Sequence, residues 1–263
     1  MRLMSIASGS GGNAAYVGND HTHLLIDSGV SRKRILDGLK RLDLSLNDIT
    51  AILVTHEHSD HICSLGVIER TRSIPVYATG GTVRGILKSG ILSPEKDIFN
   101  TISAGDEFII NDITVTAINI SHDANEPVCY RFEDKASACA IVTDLGFFDK
   151  RTTDSLQNLD AAIIEANHDI RMLETGPYPY PLKMRIAGNT GHLSNEDSGK
   201  LISGILHDRM EYIALGHLSR KNNYSQLAKL TVEEQINAGN KYSSRDFRID
   251  VADQEKGTDI YEF

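Results

Sequence analysis

The stretch VTHEHSDH, residues 54–61, contains three histidines and an aspartate and overlaps the apolar run AILVT (51–55). Imidazoles so close together repel one another when protonated, and burying them without partners costs free energy. A bound cation removes both penalties, because neutral imidazole nitrogens and carboxylate oxygens are metal ligands. The stretch therefore predicts a metal site at the end of a buried strand.

The composition is that of a globular protein. The chain has 263 residues, of which 40% are hydrophobic and 24% charged, so it is able to bury a sizeable core. We expect a single domain over residues 1–263, because no long linker, low-complexity segment or repeat interrupts the sequence. The formal charge of −9 argues against a globally basic nucleic-acid coat, but it leaves room for a local basic groove.

The cysteines and the apolar runs indicate the cellular compartment of the protein. No apolar run reaches the roughly 20 residues of a transmembrane helix, and the start MRLMSIASGSGG lacks signal-peptide features. Cys63, Cys129 and Cys139 are odd in number and widely spaced, which favours neither a disulfide framework nor a CxxC metal site. We predict a cytoplasmic protein without membrane contact, with Cys63 as a buried free thiol or, less favourably, an extra metal ligand. The sequence does not specify the oligomeric state.

Strand patterns occur in two parts of the chain, with helix patterns between and after them. Helices are predicted to begin after the caps Ser31 and Ser194. The proline segment 175–188 is predicted to be irregular. Two sets of strands with helices beside them predict two sheets with helical outer layers. The predicted strands are RLMSIAS, AAYVGN, HLLIDSG, AILVT, FII (108–110), ITVTAINI (113–120), VCYRFE, ACAIVTD, DAAIIEA and the end of ILHDRMEYIALGH.

Potential metal ligands stand at the ends of these apolar runs. Strand ends held in a sheet are rigid, which suits a site that fixes metal geometry. Histidine and carboxylate ligands suit zinc, manganese or iron, and the lack of thiolates argues against a structural zinc cage. The set fits two divalent ions about 3.5–4 Å apart. Its members are His56, His58, Asp60, His61, His122, Asp144 and His217, with Glu165 near the end of a further strand.

HEHSDH resembles the HxHxDH signature of the metallo-β-lactamase superfamily. The later histidines and the later aspartate follow in the order of that superfamily's other ligands. The resemblance implies an α+β fold, the four-layer αββα sandwich, and two divalent metal ions, zinc first, with manganese or iron as alternatives. It also implies two ligand sets and one bridge: His56, His58 and His122; Asp60, His61 and His217; and Asp144 between them.

Longer stretches, among them SIASGSGGNAAYVG, EANHDIRML and GHLSNEDSG, closely resemble the YycJ (WalJ)-like subgroup. Its members are regarded as 5′-to-3′ exodeoxyribonucleases, so the resemblance implies single- or double-stranded DNA as substrate. GHLSNED resembles a histidine motif of phosphodiesterases, which implies that His192 protonates the leaving oxygen with Glu165 as its orienting partner. Asp60 would bind metal and accept a proton from water. Asp27 is interpreted as support for the metal loop, with a simple turn aspartate as the alternative.

Weaker patterns suggest substrate contacts. The glycine-rich loop 8–13 predicts phosphate binding near Ser10 and Asn13, although a hairpin turn has the same composition. Tyr178 and Tyr180 are able to stack on unpaired bases, but packing against the protein is slightly favoured. Further candidate contacts, with structural or solvated roles as alternatives, are His168, Arg220 and Asn222.

Two other functions stay open. One is a small-molecule metallohydrolase acting on a cyclic or small phosphodiester, or less favourably on a thioester or lactam. The other is a non-catalytic metal-binding regulator, against which the complete ligand set argues. Asp144 at the bridging position argues against a typical zinc β-lactamase, and GHLSNED favours phosphodiester chemistry. Overall acidity favours a small substrate, whereas the family resemblance favours DNA.

Overall fold

Two seven-stranded sheets form the centre of the computed structural model, which describes residues 1–93, 97–239 and 241–263. In the first sheet the strand order is β14-β1-β2-β3-β4-β5-β6, and in the second it is β13-β12-β11-β10-β9-β8-β7. The first sheet contains β1 (Arg2–Ala7), β2 (Ala14–Gly18), β3 (His23–Ile26), β4 (Ala51–Leu53), β5 (Val76–Thr79), β6 (Phe99–Ile102) and β14 (Tyr261–Glu262). The second contains β7 (Glu107–Ile110), β8 (Ile113–Asn119), β9 (Val128–Glu133), β10 (Ala138–Val142), β11 (Ala161–Glu165), β12 (Tyr212–Gly216) and β13 (Arg248–Val251).

Each sheet has an antiparallel half and a parallel half. Neighbouring strands are antiparallel from β14 to β3 and parallel from β3 to β6. In the second sheet they are antiparallel from β7 to β10 and parallel from β10 to β13. The parallel halves bring the carboxyl ends of several strands to one edge of each sheet, where ligands of α/β proteins commonly bind.

Helices cover the outer faces, and both predicted serine caps are confirmed. Ser31 Oγ accepts a hydrogen bond from Arg34 N at 3.4 Å, and Ser194 Oγ accepts one from Asp197 N at 3.0 Å. The helices are α1 (Arg32–Lys40), α2 (Ser59–Ile62), α3 (Leu65–Thr71), α4 (Gly80–Ser89), α5 (Lys150–Ser155), α6 (Ile170–Thr175), α7 (Tyr180–Ile186), α8 (Asn195–Ile205) and α9 (Ser225–Ala238).

The prediction that segment 175–188 is irregular was wrong, because it contains α7. Pro179 caps this helix and Pro181 lies in its first turn. Proline suits that position, since its missing N–H would have no partner there and its backbone angle already fits a helix. The preference for packing was also wrong for Tyr180, a residue that is 73% exposed.

Apolar side chains alternate between the two faces of each sheet and form three layers. Leu24 and Ile26 of β3 lie in the layer between the sheets, whereas Leu25 joins Ile35 and Leu39 of α1 on the outer side. The second sheet is covered in the same way by α8 and α9. Three apolar layers separate four layers of secondary structure, which confirms the αββα sandwich.

The cysteines are free, as predicted, but Cys63 is exposed rather than buried. It caps the short helix α2, and its Sγ lies 3.8 Å from Ser28 O. Among the described residues no helix is both long enough and apolar enough to span a membrane.

Candidate metal centre

Three residues of the predicted site hold a left-handed backbone conformation just after a strand. They are Asp27 after β3, Asp144 after β10 and His217 after β12, with φ values of 60°, 59° and 55°. Such values are uncommon for residues other than glycine, and they cluster at functional sites where the surrounding structure imposes them. The three turns bring side chains from both sheets together.

One cluster consists of three imidazoles. His56 Nε2 lies 3.1 Å from His58 Nδ1, which lies 3.3 Å from His122 Nε2. Nitrogens bound to one tetrahedral zinc at about 2.0–2.1 Å lie about 3.3–3.4 Å apart, so these spacings fit a single divalent ion. Burial lowers the pKa of His122 and holds that of His56 well below its usual value. Both rings are therefore neutral, as metal binding requires.

The second cluster contains two polar atoms that lack hydrogen bonds. Asp60, His61 and His217 bring ligand atoms within 4.8 Å of one another, and so do His56, His61 and Asp144. Asp144 Oδ2 and His217 Nε2 are buried without a hydrogen-bond partner among the described residues, although His61 Nε2 lies 3.1 Å from that oxygen. Unpaired buried polar atoms are costly, and a cation between them removes the cost. The donor set fits divalent metal binding.

Asp144 is ionised despite being buried. Burial raises the pKa of this carboxyl, but His217 and His61 outweigh it and hold the pKa well below the usual value. A carboxylate placed between the two clusters is able to contribute to both.

Asp27, predicted to support the metal loop, accepts three hydrogen bonds there. Its Oδ1 accepts from Thr55 N, and its Oδ2 accepts from Thr55 Oγ1, both at 2.9 Å. His61 Nδ1 lies 2.8 Å from the same Oδ2, which leaves Nε2 directed toward the cluster. Thr55 was not predicted, and its position directly before His56 was the one available indication.

The glycine-rich loop after β1 supports the segment that carries Asp60 and His61. Asn13 N donates to Asp60 O at 2.8 Å, and Asn13 Nδ2 lies 3.0 Å from His61 Nε2. Gly29 packs against the same segment, where a Cβ would lie 1.6 Å from Asp60 O. Only glycine fits this close approach.

Glu165 holds two histidines through one oxygen. Its Oε1 accepts from His192 Nδ1 at 2.9 Å and from His217 Nδ1 at 2.7 Å. Its Oε2 accepts from Leu145 N at 2.9 Å and from Leu193 N at 3.0 Å. Burial raises the pKa of Glu165, but His192 and His217 outweigh it and lower the pKa to about 2. This carboxylate is fully used as a hydrogen-bond acceptor, so it positions histidines rather than offering itself as a ligand.

His192 lies next to both clusters without belonging to the predicted ligand sets. Burial lowers its pKa, but Glu165 outweighs that effect and raises the pKa to about 9. Its ring centroid lies 5.3 Å from that of His122 and 5.2 Å from that of His217. Its Nδ1 is committed to Glu165, so Nε2 is the nitrogen free to act on a substrate.

Arg185 of α7 and Asp123, which directly follows His122, are two residues near the site that sequence reasoning missed. Arg185 Nε donates to Asp123 Oδ2, and Asp123 Oδ1 lies 3.5 Å from His122 Nε2. His192 N donates to Ile186 O at 2.9 Å. Asp123 was indicated only by following His122, and Arg185 had no signal, because its partner is 62 residues away.

The residues assigned to substrate differ in accessibility. Ser10 and Arg220 are exposed, and Arg220 Nε donates to Gln254 Oε1. Asn13 is buried within its loop, and His168 is buried with a pKa that burial lowers to about 4. Asn222 is fully buried beside the Ser219 hydroxyl, so it supports its loop instead of reaching a substrate.

Comparisons with known proteins agree with this geometry. A family profile described as the Beta-lactamase superfamily domain matches residues 22–213, and the chain belongs to this family. It is 40% identical over 231 residues to exodeoxyribonuclease YycJ of Bacillus anthracis, covering 87% of this chain and 86% of that protein. It is 37% identical over 248 residues to exodeoxyribonuclease WalJ of Streptococcus pneumoniae serotype 2, covering 93% of this chain and 91% of that protein. The predicted YycJ (WalJ)-like subgroup is thereby confirmed.

A solved structure shows the same fold. The metallo-β-lactamase fold protein YhfI of Bacillus subtilis superposes with a TM-score of 0.74 at 14% identity, covering 100% of this chain and 99% of that one. At this identity the likeness concerns the fold alone.

Proposed function

We propose that this protein is a metal-dependent exodeoxyribonuclease that hydrolyses DNA from the 5′ end. One observation carries the proposal: a single oxygen of buried Glu165 holds both the predicted ligand His217 and His192, which is not a predicted ligand. A histidine fixed beside a metal cluster suits the cleavage of a bond whose leaving oxygen needs a proton. Identities of 40% and 37% to proteins named exodeoxyribonuclease support DNA as the substrate.

Two divalent ions would complete the centre, zinc by preference and manganese or iron as alternatives. When bound, such ions lower the pKa of a water molecule and polarise a phosphoryl oxygen. The residues that would hold them are His56, His58 and His122; Asp60, His61 and His217; and Asp144 between the two sets.

The protein's own groups would move the protons. In the protonated ring His192 Nδ1 donates to Glu165 while Nε2 carries the second proton, which would pass to the departing oxygen of the DNA strand. Burial lowers the pKa of His192, but Glu165 outweighs it and raises the pKa to about 9, so before metal binds the ring is protonated near neutral pH. Asp60, whose side chain is 27% exposed, would accept a proton from the attacking water. Neither role requires a residue outside the cleft.

A small-molecule phosphodiesterase is the second candidate, favoured by the net charge of −9, which disfavours a polyanion. A single domain over residues 1–263 and a cytoplasmic location stay predictions, and the free cysteines support the latter.

The test uses the purified, metal-loaded protein with end-labelled single- and double-stranded DNA beside bis-p-nitrophenyl phosphate. We expect mononucleotides to be released progressively from the 5′ end. Hydrolysis of the small diester with DNA left intact would reject the nuclease and favour the second candidate. Release from the 3′ end would reject the polarity alone.

A further inference from the structure

Five of the exposed large apolar side chains lie on segments that sequence or hydrogen bonds join to His192 or His217. The described residues contain eight large hydrophobic side chains that are exposed, and three of them, Val67, Ile109 and Leu230, belong to α3, β7 and α9. The other five belong to segments that adjoin His192 or His217, and we call them the apolar rim: Phe147, Ile170, Tyr180, Met184 and Tyr224. Exposed apolar groups gathered at a polar cleft indicate a binding surface.

The α7 part of the rim is tied directly to the site. None of the residues Tyr180–Ile186 is buried, and Tyr180 and Met184 are 73% and 54% exposed. They are four positions apart, so they share one side of the helix. The His192 N to Ile186 O hydrogen bond, 2.9 Å long, fixes the end of α7 beside the catalytic histidine.

The Tyr224 part of the rim extends from His217. Tyr224 is 54% exposed and lines a groove of about 420 Å³, whose charged lining residues are Arg220, Asp253, Glu255 and Lys256. Asp169 N donates to Asn222 O at 2.9 Å, which joins this segment to the start of α6. The two parts of the rim therefore belong to one continuous set of loops around the centre.

These loops are basic although the protein is acidic. Residues 170–192 carry Arg171, Lys183 and Arg185 against Glu174, with Arg185 paired to Asp123, and residues 217–225 carry Arg220 and Lys221 without an acidic residue. The formal charge of the whole chain is −9. A locally positive surface attracts the phosphates of a nucleic-acid strand.

We propose that the apolar rim binds unpaired nucleotides adjoining the cleaved bond, with bases stacked on Tyr180 and Tyr224. The substrate is then the end of a DNA strand that is single or has separated from its complement. Basic groups with exposed aromatic rings are the combination that holds single strands, because every unpaired base offers a flat face for stacking. Bases within a duplex are already stacked on their neighbours. This inference rests on the proposed nuclease function and specifies its substrate.

The experiment compares Tyr180→Ala and Tyr224→Ala with the corresponding Phe variants. Leu230→Ala is the matched control, since Leu230 is 58% exposed but lies on α9. Binding of a fluorescent single-stranded oligonucleotide with uncleavable phosphorothioate linkages is measured by anisotropy. Each Ala variant loses the face on which a base stacks and should bind about tenfold more weakly, while Phe restores binding. The ratio of kcat/KM for DNA to kcat/KM for bis-p-nitrophenyl phosphate should fall by a similar factor.

The outcomes separate this inference from the nuclease function. Single-strand binding unchanged in both Ala variants overturns the rim as a stacking surface, even when the protein cuts DNA. A blunt duplex that binds as tightly as the single strand, with the same losses in the variants, overturns the preference for unpaired bases. Wild-type protein that binds the oligonucleotide through these tyrosines but cuts no DNA rejects the nuclease and retains the rim.

Discussion

Asp144 and Glu165 are both buried carboxylates near the ends of paired strands, β10 and β11, yet their surroundings differ. Glu165 accepts four hydrogen bonds through its two oxygens. Asp144 leaves Oδ2 without one among the described residues. Both have lowered pKa values, since nearby histidines outweigh burial, so both are anions. The difference indicates that Glu165 orients histidines, whereas Asp144 has an oxygen available to bind a cation.

The largest effect should follow from Asp144→Asn. Asparagine tolerates the left-handed backbone at φ 59° but lacks the charge that would hold the metals. We expect bound metal to fall and DNA hydrolysis to drop about a thousandfold, equivalent to about 4 kcal/mol of transition-state stabilisation. Metal content by mass spectrometry and the rate on labelled DNA measure this.

A matched control exists for that change. Asp43 has φ 58° but is exposed on a turn away from the cluster, so Asp43→Asn should keep both metal and rate. Full metal content and wild-type rates in Asp144→Asn would break the distinction between the two buried carboxylates.

His168 extends the comparison to a buried group outside the metal clusters. Its Nδ1 has no partner among the described residues, and burial lowers its pKa from 6.5 to about 4. Between pH 6.5 and pH 4 the His168 imidazole is therefore protonated in the unfolded chain but neutral in the folded protein. The free energy of unfolding should fall as the pH drops through this range. The shift corresponds to about 3 kcal/mol, at 1.36 kcal/mol for each pKa unit.

Urea unfolding of wild type and His168→Asn between pH 7 and pH 4 measures this contribution. The variant should lose about 3 kcal/mol less than wild type over that range, whereas replacing exposed His21 by Asn should change nothing. Parallel stability curves for wild type and His168→Asn would show that burial does not keep this imidazole neutral.

His192→Ala tests the histidine that Glu165 orients. We expect about a hundredfold loss on DNA with metals retained, because general-acid catalysis contributes at least that factor. The loss on bis-p-nitrophenyl phosphate should be much smaller, since p-nitrophenolate leaves without a proton. Equal losses on both substrates, or full activity on DNA, would remove His192 from the role of proton donor.

The smallest effect should come from Glu165→Gln. The substitution keeps the shape but removes the charge shared by His192 and His217, and losing such an orienting partner costs about ten- to a hundredfold. Rates on DNA and on bis-p-nitrophenyl phosphate, compared at equal metal content, separate misoriented His192 from lost metal. Wild-type rates on DNA with full metal content would show that Glu165 has no positioning role.

The two sheets and the gathering of the candidate ligands were predictable because their signals are local. A histidine or aspartate directly after a short apolar run is visible in the sequence, as at His56 and His217, and parallel strands gather such ends at one edge. The serine caps of α1 and α8 were visible for the same reason.

The missed features depend on contacts between distant residues. Arg185 reaches Asp123 only because α7 folds back over the cleft, and Thr55 resembles any polar residue after a strand. The left-handed turns at Asp27, Asp144 and His217 are imposed by tertiary structure. Segment 175–188 was misjudged because its prolines, which usually break helices, here begin one.

Each predicted ligand set draws on both sheets: His56 and His58 follow β4 whereas His122 follows β8, and Asp60 and His61 are joined by His217 after β12. Metal ions would therefore link the two sheets through their shared ligands. Removing the metals with a chelator should weaken the packing between the sheets as well as stop catalysis. Faster amide exchange near Thr55 and Thr143 after metal removal, with the outer helices unchanged, would reveal that mechanical role.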